Sequence, residues 1–266
     1  MAYRATYRMD AAAAEAYEKD LMPRVTGPWA ARLVKLADPQ RGEHVLDVAC
    51  GSGIAARLAA TSVTASGRLV GLDSDAAMVE VARRVAPSLE WYCASALDMP
   101  FEDATFDLSL CVLGLMFFPD CAAGLAEVRR VLKPSARFVA SVRAPLEFNR
   151  GEHALITALE HHDADTSAAR KAYSLADPEK LSAAARRAGF GKANVHTEDG
   201  LSHFPSVQAF FDAMFTGSFV FRDEFTLLSD DGRSELVEEV NAMLEPYAGD
   251  GDVALPTRMH ILFARP

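Results

Sequence analysis

The chain has 266 residues, of which 50% are hydrophobic and 24% are charged, as in an ordinary globular protein. This length suits one α/β domain with an elaboration, or two small domains. Its 37 acidic and 27 basic residues give a formal net charge of −10, which argues against a nucleic-acid partner because phosphate backbones are bound by clustered positive charge.

The N-terminus, the apolar runs and the cysteines bear on location. Residues 1–20 lack a basic segment followed by an apolar core, so no signal peptide is expected. The longest apolar run, residues 108–118, is too short to span a bilayer, and we expect a cytoplasmic protein without a membrane span. The cysteines have no close pair spacing, so neither a disulfide nor a metal site is expected.

Two helices are predicted at the start of the chain. The first covers residues 11–21, is rich in alanine and is expected to end near Pro23. The second covers residues 28–37 and begins with proline, which is favoured in a first helical turn.

Residues 45–53, Val-Leu-Asp-Val-Ala-Cys-Gly-Ser-Gly, predict a buried strand followed by a tight turn and a helix. Glycines allow the backbone to approach a ligand, and the helix N-terminus offers free N–H groups to it. The spacing Gly51-x-Gly53-x-x-Ala56 also matches a dinucleotide fingerprint, so NAD is one possible ligand. Asp47 would repel a pyrophosphate and suits an ammonium or sulfonium group, which favours S-adenosylmethionine (SAM).

The run from Asp47 to Gly53 resembles the first motif of the class I SAM-dependent methyltransferases, (E/D)-x-G-x-G-x-G, with Ala49 in place of the first glycine. The chain is similar to the small-molecule type found in ubiquinone and menaquinone biosynthesis (methyltransferase domain 11-like). The resemblance implies that Asp47, Ala49, Gly51 and Gly53 bind SAM. It also implies that the N-terminal helices lie over the cofactor, with Tyr17 or Trp29 in contact with it; packing of both in the core is the alternative.

A second strand is predicted to end at Asp73, with Ser74 and Asp75 directly after it. An acid at this position can accept hydrogen bonds from both ribose hydroxyls, so Asp73 is the candidate ribose ligand and Ser74 belongs to the same site. The alternative is that an aspartate caps the helix over residues 76–85, and Asp75 is the better cap. The resemblance implies that Met78 packs on the adenine; a core position is the alternative.

The segment after the third predicted strand, residues 90–93, resembles the family pattern G-D-A-x-x-L-P-F. Alignment on Ala96 and on residues 100–101 places Ser95 where the family has an acid that accepts a hydrogen bond from the adenine amino group. Ser95 carries no charge, so the adenine contact is expected either to be weaker by about 1 kcal/mol or to be made by the backbone instead. Asp98 is expected to be exposed to solvent.

The loop after the fourth predicted strand is expected to lie over the reacting methyl group, because ligands of this fold bind at the carboxyl ends of the strands. Cys111 and Met116 are therefore candidate cofactor contacts. Residues 112–118 have no polar side chain, which indicates either an apolar acceptor or simple core packing. After the fifth predicted strand, Arg143 or Arg150 is a candidate anchor for an anionic substrate group, with solvated loop charges as the alternative.

Methyl transfer requires alignment and exclusion of water more than an elaborate catalytic apparatus. A base is needed only if the nucleophile must lose a proton, and the candidates are His162, Glu147, His260 and Tyr17. Glu147 is also a candidate for orienting the nucleophile. His162 falls on the apolar face of a predicted helix over residues 152–162, where a packing role is the alternative.

An aromatic-rich helical insertion is predicted between the sixth strand, residues 193–197, and the last strand, residues 258–264. Its expected role is to cap the active site, and a dimer interface is the alternative. The candidate walls are Phe204, Phe210, Phe211, Phe215, Phe219 and Phe221.

These features predict one α/β domain with a Rossmann-like, seven-stranded, mostly parallel sheet and helices on both faces. The expected parts are N-terminal helices (1–40), the SAM-binding core (41–200), the helical cap (201–256) and the last core strand (257–266). The expected function is methyl transfer from SAM to a small hydrophobic acceptor such as a quinone, polyketide or terpenoid, with S-adenosylhomocysteine (SAH) as product, by a monomer or homodimer. The alternatives are a SAM-binding cyclase, an NAD-dependent oxidoreductase and a non-catalytic SAM-binding subunit.

Overall fold

Seven strands form a single sheet in the order β3-β2-β1-β4-β5-β7-β6. The computed structural model describes residues 9–266, so the first eight residues of the predicted N-terminal part lie outside the described range. The strands are β1 (His44–Val48), β2 (Arg68–Asp73), β3 (Glu90–Cys93), β4 (Phe106–Val112), β5 (Leu132–Arg143), β6 (Lys192–Phe204) and β7 (Val253–Arg265). The first five are parallel, whereas β7 is antiparallel to both β5 and β6. The predicted fold class is therefore confirmed.

Helices cover both faces of the sheet. They are α1 (Ala11–Ala16), α2 (Gly27–Ala37), α3 (Ile54–Val63), α4 (Ala76–Val85), α5 (Cys121–Val131), α6 (Arg150–His161), α7 (Ser167–Lys171), α8 (Pro178–Arg187), α9 (Val207–Gly217), α10 (Arg222–Leu227) and α11 (Asp230–Leu244). Val45 of β1 packs with α2 and α3, and its neighbour Leu46 packs with α5 and α8 on the opposite face. This alternation is expected for a strand that is buried on both sides. Within residues 9–266, no helix is long and apolar enough to cross a membrane.

The N-terminal helix does not end near Pro23 as predicted. The chain continues from α1 through a π-helical segment, Tyr17–Thr26, directly into α2. Proline lacks an N–H and its ring clashes with a carbonyl one α-helical turn earlier, whereas the wider π-helical turn has a different hydrogen-bond pattern and accommodates it. This segment lies across the carboxyl ends of the central strands and forms part of the candidate site.

The last two strands are longer than predicted. They pair without interruption from Lys192–Arg265 to Phe204–Val253, so the sheet extends into the segment predicted as the cap. Gly200 and the polar residues around it weaken the strand signal of β6, but β6 is a sheet edge with its outer side chains in solvent. The helices α9, α10 and α11 lie between these strands and pack with α6 in a second hydrophobic core.

Candidate active site

A cavity of about 390 Å³ lies at the carboxyl ends of β1, β2 and β4. Its walls come from the turn after β1, the end of β2, the loop after β4, the π-helical segment and the end of α9. Both the location and the volume are typical of a small-molecule site in an open α/β sheet.

The turn after β1 has three residues in the left-handed region: Ala49, Gly51 and Gly53 have φ angles of +54°, +54° and +86°. Gly51 lines the cavity, and a Cβ atom added there would lie 4.0 Å from the ring of Tyr17. Gly53 lies behind the turn, where an added Cβ would be 2.1 Å from the ring of Trp91. Gly51 therefore leaves space for a ligand, whereas Gly53 allows the turn to pack on Trp91.

Alanine at position 49, where the family has glycine, is constrained both in its backbone conformation and in the space for its methyl group. Its left-handed backbone costs a residue with a Cβ atom about 1–2 kcal/mol. Both Ala49 and Gly114, in the loop after β4, line the cavity, and a Cβ added at Gly114 would be 2.6 Å from the Cβ of Ala49. Space for the methyl group of Ala49 thus depends on glycine at position 114.

Gly114→Ala is expected to lower the free energy of unfolding by about 2 kcal/mol, because the new methyl group would overlap that of Ala49. Urea denaturation of the single variant and of Ala49→Gly/Gly114→Ala measures this effect. The double variant should recover part of the loss. Equal destabilisation of both variants would exclude Ala49 as the source of the clash.

Asp47 is a buried carboxyl group, 1% exposed, that lines the cavity. Its Oδ2 accepts a hydrogen bond from the N–H of Ala56 at 3.0 Å. Burial raises its pKa from 3.8 to about 7; the Ala56 bond opposes this and the carboxylate of Asp73 adds to it. A cation bound next to Asp47 would favour the ionised form.

The affinity for SAM is therefore expected to rise about tenfold between pH 6 and pH 8, as Asp47 loses its proton. Calorimetric titrations of the wild type and of Asp47→Asn across this range test the prediction. Titration of the ligand itself is common to both proteins, so the difference between the two profiles reports on Asp47. Parallel profiles would contradict the assigned role.

Asp73 ends β2 and also lines the cavity. Its Oδ2 accepts from the N–H of Gly51 at 2.8 Å, and its Oδ1 accepts from the N–H of Asp75 at 2.9 Å. Burial raises the pKa of Asp73, while these backbone bonds lower it. Asp75 accepts bonds from the N–H groups of Ala77 and Met78, which confirms that Asp75 is the cap of α4. Asp73 is thereby free of a capping role.

The side of the cavity beyond β2 contains Ser74, Met78, Ser95 and Ala96. Met78 is buried, whereas Ser95 is exposed and accepts a hydrogen bond from the N–H of Leu97 at 3.1 Å. Asp98 is exposed, as predicted. The four lining residues form one continuous edge of the site next to Asp73.

Four candidate cofactor contacts do not line the cavity: Gly53, which lies behind the turn, and Cys111, Met116 and Trp29. Cys111 and Met116 point into the sheet core, because their neighbours Val112, Leu113 and Phe117 occupy the cavity side of the same loop. Trp29 packs under the β6 strand, where a Cβ added at Gly200 would be 2.7 Å from its ring. The positions of Cys111, Met116 and Trp29 therefore do not support the prediction that they contact the cofactor.

Three of the four base candidates also lie outside the cavity lining. Glu147 is exposed, and Nε2 of His162 lies 4.0 Å from Glu239, between α6 and α11. His260 is buried in β7, where its Nε2 donates to the carbonyl of Ala176 at 2.9 Å and its Nδ1 accepts from the hydroxyl of Thr197 at 2.8 Å. These hydrogen bonds occupy both ring nitrogens, and burial lowers the pKa of His260. His260 therefore has no free ring nitrogen in this structure.

Tyr17 is the base candidate that does line the cavity. Its hydroxyl donates to Oγ1 of Thr26 at 3.0 Å, and burial raises its pKa to about 12. The phenol is therefore neutral near pH 7 and is not a general base there. Tyr17 instead forms a wall over Gly51, held in place by α9, whose Gly217 leaves room for the Tyr17 backbone.

The cap contributes fewer aromatic walls than predicted. Phe219 lines the cavity and makes an edge contact with Phe117, with ring centroids 4.9 Å apart. The other five predicted walls are buried in the second hydrophobic core: Phe204, Phe210, Phe211, Phe215 and Phe221. Most of the wall residues that were not predicted are small or aliphatic, and they include Leu21, Val25, Thr26, Cys50, Met214, Gly217, Ser218 and Val220. Cys50 belongs to the glycine turn, Leu21 to the first predicted helix and residues 214–220 to the predicted cap. Val25 and Thr26 fall between the two predicted N-terminal helices, so no sequence signal pointed to them.

One part of the chain matches a family model. Residues 45–135, which include β1 to the start of β5, match the family model described as a methyltransferase domain. This match confirms the family resemblance inferred from the turn after β1.

Individual proteins that are similar to this chain include two named as quinone methyltransferases. The chain is 39% identical over 115 residues to the 2-phytyl-1,4-naphtoquinone methyltransferase of Synechococcus elongatus, a match covering 41% of this chain and 49% of that protein. It is 40% identical over 102 residues to the demethylmenaquinone methyltransferase of Lactiplantibacillus plantarum, covering 36% and 43% respectively. The chain thus spans about half the length, or less, of these two relatives.

A solved structure shares the fold over most of the chain. Phosphoethanolamine N-methyltransferase 2 of Haemonchus contortus, crystallised with phosphomonomethylethanolamine and SAH, aligns with a TM-score of 0.57 at 16% identity. The alignment covers 95% of this chain and 56% of that one. The two proteins therefore share this fold.

Proposed function

We propose that the chain is a SAM-dependent methyltransferase that transfers the sulfonium methyl group to a small, mainly apolar acceptor of the quinone type. The observation that carries this proposal is the pair of carboxyl groups, Asp47 and Asp73, facing one cavity at the glycine turn. Asp47, next to the turn, favours a cationic cofactor and opposes a pyrophosphate, which supports SAM over NAD. Asp73 would accept hydrogen bonds from ribose hydroxyls with either cofactor.

The residues of the cavity fit SAM. Asp73 has its carboxylate held by the N–H groups of Gly51 and Asp75, a fixed orientation suited to accepting hydrogen bonds from ribose hydroxyls. Asp47 offers a negative charge to an ammonium or sulfonium group. Met78 offers a flexible apolar surface for the adenine, next to Ser95 and Ala96.

When bound, SAM would supply an activated methyl group. The protein would contribute alignment and exclusion of water. Leu113 and Phe117 from the loop after β4, together with Val220 and Phe219 from the cap, enclose the cavity with apolar groups. Among the described residues that line it there is no histidine, and Tyr17 is neutral at pH 7. This site therefore suits a nucleophile that does not need a strong protein base.

The relatives named as naphthoquinone and demethylmenaquinone methyltransferases support a bicyclic, quinone-like acceptor. Polyketide or terpenoid acceptors, as in natural-product biosynthesis, would meet the same apolar walls. The test is incubation of the purified protein with methyl-labelled SAM and reduced naphthoquinones. Label in the extracted acceptor together with formation of SAH supports the proposal. Conversion of an acceptor without transfer of label would indicate a cyclase instead.

A further inference from the structure

Arg143 is a cationic side chain in an otherwise mainly apolar part of the cavity. It ends β5 and lines the cavity, with 13% of its side chain exposed. Its Nη2 lies 3.1 Å from Oε1 of Glu152 in α6, a carboxylate that is also buried. Its Nη1 is buried and has no hydrogen-bond partner among the described residues. A guanidinium donor left unpaired in a protein interior is costly, which indicates a partner that the chain itself does not supply.

A second unpaired donor lies beside it. The hydroxyl of Tyr173 is buried without a hydrogen-bond partner among the described residues, and Cζ of Arg143 lies 5.8 Å from the centroid of its ring. Ala172, the residue before Tyr173, lines the cavity. Arg143 and Tyr173 are thus neighbouring side chains that each carry an unsatisfied donor. Such a pair matches an acceptor group with several lone pairs, such as a carboxylate or a phenolate oxygen.

The position of Arg143 separates it from the proposed cofactor groups. Asp73 ends β2 and Arg143 ends β5, and these strands are three positions apart in the sheet, which corresponds to about 14 Å at the usual strand spacing. The cavity thus has an acidic region, formed by Asp47, Asp73 and Asp75, and a cationic region at Arg143. Between them lies the loop after β4, with Leu113 and Gly114.

We infer that Arg143, Tyr173 and Glu152 form an acceptor-binding subsite for an oxygen anion carried on an otherwise apolar molecule. Arg143 would donate to the oxygen through Nη1 after a small rotation of its guanidinium, of the kind that side chains commonly make on binding. Tyr173 would donate a second hydrogen bond, and Glu152 would orient the guanidinium. The inference rests on the proposed function, since it assigns the acceptor end of the same site.

The test uses three naphthalene probes with the purified protein saturated with SAH: 1-naphthoate, 1-naphthol and 1-methylnaphthalene. The first carries a carboxylate, the second a hydroxyl that ionises, and the third has no oxygen. At least one oxygen-bearing probe should bind ten times or more tightly than 1-methylnaphthalene. Tighter binding of 1-naphthoate would identify the oxygen anion as a carboxylate, and tighter binding of 1-naphthol would identify it as a phenolate.

The variants separate binding from folding. Arg143→Met should abolish the preference for oxygen while leaving the affinities for SAH and 1-methylnaphthalene unchanged. Because this change leaves Glu152 unpaired in the interior, Arg143→Met/Glu152→Gln serves as a second variant with the same expected result. Tyr173→Phe should reduce the preference severalfold. Arg150→Met, which alters an exposed arginine outside the cavity lining, is the matched control and should behave as the wild type.

Glu152→Gln alone distinguishes a binding role from a structural one. If Arg143 binds the probe, this variant should keep the preference for oxygen, since the guanidinium remains and has lost a competing anion. If Arg143 only neutralises Glu152, the two single variants would behave alike, and the inference would be wrong. Equal affinity of the wild type for all three probes, or no binding of either oxygen-bearing probe, would also overturn it. Failure of SAH itself to bind would instead overturn the proposed function.

Discussion

Gly53→Ala is expected to lower the free energy of unfolding by about 3 kcal/mol or more and to abolish measurable SAM binding. Two effects add at this position. The φ angle of +86° is strained for any residue with a Cβ atom, at a cost of about 1–3 kcal/mol. The new methyl group would also lie 2.1 Å from the Trp91 ring, which overpacks the interior by about 1–3 kcal/mol.

Trp91 cannot easily move away. Its Nε1 donates to the carbonyl of Ala86 at 2.9 Å, and its ring also packs tightly against Gly71, where an added Cβ would be 2.2 Å away. The strain must therefore pass to the turn itself, which carries Gly51 at the edge of the cavity. For this reason we expect loss of binding even in the fraction of molecules that remain folded.

Urea denaturation and calorimetric titration with SAM measure both effects. Gly191→Ala is the matched control, because an added Cβ there has no neighbour closer than 3.6 Å and no positive φ is involved; its effect should be within about 0.5 kcal/mol. Trp91→Leu is the reference that isolates the steric part, because replacing a buried tryptophan is itself destabilising. Added to Trp91→Leu, the Gly53→Ala change should cost only the backbone strain. A stable Gly53→Ala variant with normal SAM affinity would refute the described packing of this turn.

Asp73→Ala is expected to weaken SAM binding by one to two orders of magnitude, with a smaller loss for Asp73→Asn. The alanine variant removes a charged acceptor, and hydrogen bonds to charged groups are worth about 1.5–3 kcal/mol. It also releases the N–H of Gly51, which Asp73 holds at 2.8 Å across the cavity floor. Asparagine keeps one acceptor oxygen, so it should still accept a hydrogen bond from the N–H of Gly51 and hold the turn in part.

Calorimetric titration with SAM and SAH compares these variants with Asp98→Asn. Asp98 is an exposed acid in the loop after β3 that does not line the cavity, so its replacement should leave both affinities unchanged. Wild-type affinity in the Asp73 variants would remove Asp73 from the site. A loss in Asp98→Asn as large as in Asp73→Asn would indicate a general effect of charge rather than a ribose contact.

Much of the fold follows from local sequence patterns. The buried run ending at Val48, the glycine turn and the capping residue Asp75 are each set by neighbouring residues, and the structure agrees with them. The π-helical passage through Pro23 and the long β6–β7 hairpin depend on tertiary packing that overrides local preference. Sequence patterns alone therefore predicted a helix end near Pro23 and shorter last strands, whereas in the structure the helical segment and both strands continue.

In the candidate site, too, some positions follow from a local motif and others depend on tertiary packing. The cavity positions of Asp47, Gly51 and Asp73 follow from a short motif on one strand–turn–helix unit. The positions of Cys111, Met116 and Trp29 depend on which side of a loop or helix faces the core, and a periodic pattern does not determine this. The pairing of Arg143 with Glu152 joins β5 to α6, and nothing in either segment alone indicates it.

The most direct test of the central claim is calorimetric titration of the purified wild-type protein with SAM, SAH and NAD at pH 8, where Asp47 is expected to be ionised. We expect micromolar binding of SAM and SAH, weakened by Asp47→Asn, and no binding of NAD. Binding of NAD alone would contradict the account and would identify the glycine turn as a dinucleotide site.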